Sequence, residues 1–178
     1  MPSDAIKRVI AVTKRQKQFW SKSHGWAPDE AANILEKARL DRQISFAYTL
    51  HGYLAPFPPD AAEAYHIIGY TTLRSMCEGA LKLFFSVYFE DYKKSKEAVY
   101  DKKKNIVPPK DLSFDKLIQM YAKHGDSAFK SFLERVQQRG NAIHHFADRN
   151  IGTQAELIED IVGFEAFLHA VDCQIPYP

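Results

Sequence analysis

The sequence predicts an all-α protein, a single helical bundle of four to five main helices. Three observations carry this. Apolar residues recur at steps of three to five, as in Tyr65, Ile68, Leu73, Met76, Ala80, Phe84 and Tyr88. No run shows the two-residue alternation of a half-buried strand. Prolines, glycines and capping residues cut the pattern into helix-sized pieces.

The elements follow in order. Ser3 is placed to cap a first helix with Ile6, Val9 and Ile10 on one side. Lys7, Arg8, Lys14, Arg15 and Lys17 crowd the same segment, which reads as a solvated arm. Trp20 and Trp26 straddle a Ser/Gly-containing turn. A second helix opens at Pro28-Asp29-Glu30, where proline suits the first turn and carboxylates complement the helix dipole. It runs past Ile34, Leu35, Ile44 and Leu54 until Pro56, Pro58 and Pro59 stop it. Asp60 is placed to cap the third helix, the longest, most apolar and central one. Ser113 caps a short helix that ends at Gly125. Asp126 caps the next, whose stripe is Phe129, Phe132, Leu133, Val136, Gly140, Ile143 and Ala147, and which Asn150 and Gly152 end. Thr153-Gln-Ala-Glu156 is a capping box and opens the last helix, with Leu157, Ile161, Phe164, Leu168 and Val171 as its stripe. Residues 151–178 carry five acids and no lysine or arginine. Residues 1–55 read as an N-terminal helical extension packing on the bundle of residues 56–178.

Composition limits the functional classes. The 178 residues, 46% of them hydrophobic, are enough for a core without a metal or disulfide staple. Lys+Arg number 24 against 22 Asp+Glu, a formal charge of +2, which argues against a histone-like polycation and an acidic disordered tail. Cys77 and Cys173 form no framework, so a reduced cytoplasmic setting is expected. Lys82 interrupts the most apolar stretch, and no transmembrane helix or membrane partner is expected. Met1-Pro-Ser-Asp lacks the basic start and apolar run of a signal peptide.

The chemistry concentrates in Gln137-Gln-Arg139-Gly-Asn141-Ala-Ile-His144-His145-Phe146. Arginine stays charged and clamps a phosphate through parallel hydrogen bonds. Histidine moves protons near neutrality. Together they supply what metal-free phosphodiester cleavage needs: a group that takes the proton of a ribose 2′-hydroxyl, and one that stabilises charge on the phosphorane. In that role His144 or His145 is the general acid or base, Arg139 holds the scissile phosphate, and Asn141 orients substrate or histidine. On an unbroken helix His144 lies about 140° and His145 about 120° from Arg139, in opposite senses. A kink at Gly140, or a second copy across a two-fold axis, is therefore needed to bring the groups together. The structural reading of the same residues is an ion pair of Arg139 with Glu134 or Glu165, and histidines at a helix C-terminus.

This segment resembles the signature of the HEPN superfamily (higher eukaryotes and prokaryotes nucleotide-binding): Arg, four to six residues, then His, late in an all-helical chain with one helix to follow. Arg139 matches His144 with four residues between and His145 with five. Gly140 stands where a polar residue usually follows the arginine, and Asn141 comes one later. The resemblance covers roughly residues 60–175, including the long helix with Arg74 and Glu78. It implies a metal-independent endoribonuclease acting as a homodimer with the motif at the shared interface, of the kind used as toxins or in phage defence. An antitoxin, or a nucleotidyltransferase beside it, is the implied partner. The alternative it implies is a non-catalytic module that binds or scaffolds a nucleotide, RNA or protein.

Residues 93–110 hold seven lysines against Glu97 and Asp101. Lys93, Lys94, Lys102, Lys103 and Lys104 are candidates for an RNA backbone contact, with Tyr92 and Tyr100 to stack on bases or to anchor the segment. Glu63-x-x-His66 has the spacing of a di-iron ligand pair but is not repeated, so no metal and no cofactor are expected. Arg74 and Glu78, four apart, read as an ordinary helix pair.

Overall fold

The computed structural model describes residues 1–144 and 150–178. Among these residues every regular element is helical: α1 (Pro2–Trp20), α2 (Asp29–Glu36), α3 (Leu40–Thr49), α4 (Ala62–Val87), α5 (Phe89–Lys94), α6 (Phe114–His124), α7 (Lys130–Gly140) and α8 (Gln154–Gln174). An isolated antiparallel bridge joins Tyr100 to Ile106. No helix of the described residues is long and apolar enough to cross a membrane.

The central helix is α4, 26 residues long and packed against α2, α3, α6, α7 and α8. Leu73, Met76, Cys77 and Leu81 are buried along it. Burial, with the Asp160 charge adding, pushes the Cys77 thiol well up, as expected of a core cysteine. Phe84, Phe85, Phe164 and Phe167 are core residues, while Phe129 and Phe132 are half-buried and pack on Phe167. Each large apolar side chain removed from water contributes roughly 1.5–3 kcal/mol.

The caps behave unevenly. Ser113 accepts from Lys116 N, and Thr153 and Glu156 complete their capping box. Asp126 caps a 3-10 turn that leads into α7. Asp60 lies inside a 3-10 turn, and α4 starts after it with no side-chain cap. The stretch expected as one helix from Asp29 to Leu54 breaks at residues 37–39 into α2 and α3. Arg39 leaves helical geometry there, and its guanidinium donates to both Asp41 oxygens at 2.9 and 2.7 Å. That hydrogen bonding holds the Asp41 carboxyl at about 2.

The first helix is no solvated arm. Ala5, Ile6, Val9 and Trp20 are buried in the common core, and only the lysine-rich face is exposed. Arg8 pairs with Glu165 at 2.9 Å, and Arg15 pairs with Asp172. Both partners advance by seven residues, so α1 runs parallel to α8. On the other side Arg139 pairs with Glu156 and Arg135 with Asp160, which makes α7 antiparallel to α8. Four of the five acids in residues 151–178 thus face arginines from two flanking helices. The charge asymmetry seen in the sequence is an intramolecular clamp.

Candidate functional site

Helix α7 stops at Gly140 and continues as a 3-10 turn, Asn141–His144. Close approach to α4 requires glycine there. A Cβ on Gly140 would lie 2.6 Å from Arg74 Cβ and 2.8 Å from the Tyr70 carbonyl oxygen. The Thr71 hydroxyl donates to the Gly140 carbonyl at 3.3 Å. The missing polar residue after Arg139 therefore has a packing cause.

That contact turns Arg139 inward, and the residue is only 8% exposed. Its Nη1 donates to the Tyr70 hydroxyl at 2.6 Å and to Asp160 Oδ2 at 3.4 Å. Its Nη2 donates to Glu156 Oε1 at 2.6 Å. The Tyr70 hydroxyl donates in turn to Asp160 Oδ2 at 2.9 Å, and Arg135 donates to Asp160 Oδ1 at 2.6 Å. Gly152, with φ of +74°, closes over the cation: a Cβ there would meet Arg139 Cζ at 2.7 Å. Only glycine adopts that backbone freely and leaves that room.

The electrostatics agree with the geometry. Burial works against the Arg139 charge, but the bonds to Glu156 and Tyr70 outweigh it and raise its pKa. The Arg139 bond, then the Thr153 bonds, hold Glu156 below the usual carboxylate range. Burial, then the Asp160 charge, push the Tyr70 phenol up. His66 stacks near Tyr70 with ring centroids 5.4 Å apart, and its buried Nε2 has no hydrogen-bond partner among the described residues. Burial, with the Arg139 charge adding, lowers its pKa. A guanidinium so enclosed is a structural cation. It reaches a phosphate only by giving up a carboxylate.

The other motif residues lie apart from this network. His144 is exposed and Asn141 half-buried on the 3-10 turn. Among the described residues no side-chain hydrogen bond or ion pair joins either to Arg139; the Asn141 backbone N–H donates to the Arg139 carbonyl as the helix ends. His145, and Ala147 of the expected stripe, lie outside the described residues. The break at Gly140 does occur, yet Arg139 faces α4 and α8 while His144 faces solvent. Glu134 pairs with Lys130 and Glu165 with Arg8, so the Arg139 carboxylates are Glu156 and Asp160.

The basic run is divided. Lys93 is held by Glu30 at 2.8 Å and Glu90 at 3.0 Å. Lys94 is exposed, and Lys102, Lys103 and Lys104 sit on an exposed turn. Asp101 organises that turn by accepting from the Lys103 and Asn105 amides, both at 2.8 Å. The Tyr92 hydroxyl is an anchor, accepting from Val99 N and donating to the Val107 carbonyl, both at 3.0 Å. Tyr100 stays exposed. Arg74 and Glu78 form the expected pair at 3.2 Å. No cluster of three or more metal-ligating side chains occurs among the described residues.

Comparison with family models, with curated proteins and with solved structures finds no match for this chain.

Proposed function

We propose that the chain is a HEPN-type helical binding module that associates with a second copy of itself through the face beside the 3-10 turn, and that it does not cleave RNA. One observation carries the non-catalytic half: Arg139, the cation that transition-state stabilisation needs, is committed to Tyr70, Glu156 and Asp160 within its own chain. Exposed apolar side chains support the association. Tyr65 and Ile68 project from α4, and Ile143 projects from the turn packed on α4. Exposed apolar groups gathered on one face gain most by being covered.

A second reading, the metal-independent ribonuclease dimer, is favoured by the exposed His144 on the broken end of α7. Incubation of purified protein with a mixed RNA pool in EDTA separates the two. The binding-module reading expects identical RNA decay for wild type, His144→Ala and a protein-free control. Decay that needs His144 would replace that reading with the ribonuclease.

A further inference from the structure

A cleft of about 520 Å³ opens between α2, α3 and α4. Among the described residues five cations line it, Lys37, Arg39, Arg42, Lys82 and Lys110, against a single carboxylate, Glu78. Arg39 is engaged by Asp41 and Lys82 by Glu78, at 2.7 and 2.8 Å. Lys37, Arg42 and Lys110 make no ion pair among the described residues. Lys37 and Arg42 flank the α2–α3 break and the start of α3, and the fold brings Lys110 to them from the distant segment before α6.

The floor is different in character. Ile34, Phe46 and Leu83 supply apolar surface. Gln43 lays its amide directly over Gly79, where a Cβ would meet Nε2 at 2.0 Å. That amide makes no hydrogen bond among the described residues, although it lies in the cleft with both a donor and an acceptor free.

We infer that this cleft binds a nucleotide-sized organic phosphate, with the phosphate on Arg42, Lys37 and Lys110 and a planar, hydrogen-bonding body between Phe46 and the Gln43 amide. The volume falls within the range of small-molecule sites, which join apolar walls to a few placed polar groups. A bare anion would satisfy the cations and leave the apolar floor and amide unused. A neutral apolar ligand would leave the cations unused. The inference is independent of the self-association proposed above, because no lining residue belongs to α7 or its 3-10 turn.

Calorimetric titration of the full chain with AMP, adenosine and inorganic phosphate tests it. AMP is expected to bind at least about tenfold more tightly than either fragment. An Arg42→Gln/Lys110→Gln variant is expected to lose about tenfold of AMP affinity, while Lys102→Gln/Lys103→Gln on the exposed turn keeps it. Wild-type circular dichroism spectra of both variants exclude unfolding as the cause. AMP binding no tighter than phosphate, or equal loss in the two variants, overturns the inference.

Discussion

Arg139 on α7 donates to Glu156 on α8 at 2.6 Å, and Glu156 uses its second oxygen to cap its own helix by accepting from Thr153 N at 2.8 Å. One carboxylate thus ties the end of α7 to the start of α8. The tie makes the motif arginine a structural residue first. Its removal should act on stability before it acts on any chemistry.

Arg139→Ala strips a buried cation from Asp160 and Tyr70. Breaking a buried pair by removing one partner costs on the order of 3 kcal/mol. Arg135 still faces Asp160 and softens the loss. Arg135 is nearly half exposed, so Arg135→Ala should cost less than about 1 kcal/mol. Urea unfolding of the two variants measures the difference. Equal midpoints for Arg139→Ala and wild type would remove the structural assignment.

Glu156 sets a pH dependence. Its pKa is lowered in the folded state. Its contribution is therefore present above the unfolded carboxyl value, about 4.3, and is lost as pH falls through the lower folded value. Glu156→Gln retains a capping partner but does not titrate. The melting temperature of wild type should exceed that of Glu156→Gln near neutrality, and the gap should close below about pH 4. A gap that persists into that range would mean the carboxylate charge is not what joins the helices.

Two glycines should respond unequally to the same substitution. At Gly140 an added Cβ meets Arg74 Cβ and the Tyr70 carbonyl, and neither can move without separating α7 from α4. Gly140→Ala should cost about 1–3 kcal/mol. At Gly79 the obstacle is the end of the Gln43 side chain, which can swing aside. Gly79→Ala should be close to neutral, since alanine also gains roughly 1 kcal/mol of helix propensity. Thermal melts of the two variants decide this, and a comparable loss at Gly79 would show that the Gln43 amide is held firmly.

Much of the fold was legible in the residues. The three-to-five periodicity, the Ser113 cap and the Thr153–Glu156 box are local signals, and local hydrogen bonds express them. The break at residues 37–39 was not legible, because no proline or glycine marks it. The burial of α1 was not legible either, because its lysines share a segment with its apolar stripe. At the site, the spacing of Arg139 and His144 was visible but their divergence was not, since it depends on the α4 backbone beneath Gly140. A usable signal did exist for the network. Arg135 and Arg139 stand four apart on one helix, and Glu156 and Asp160 stand four apart on the next. Two such ladders on sequential helices favour an antiparallel clamp, which takes the arginine away from the histidine.

The apolar face beside the motif yields the last expectation. Ile68 is 50% exposed and Ile143 48% exposed, so neither is needed for the monomer core. Charge placed at either position is tolerated by the isolated chain but opposed in a covered interface, where an unpaired carboxylate loses its hydration. Sedimentation equilibrium at about 50 µM should show wild type as a dimer and Ile68→Asp/Ile143→Asp as a monomer, with little change in melting temperature for the monomer itself. A wild type that stays monomeric leaves this face without a second copy. A variant that stays dimeric moves the interface elsewhere on the bundle.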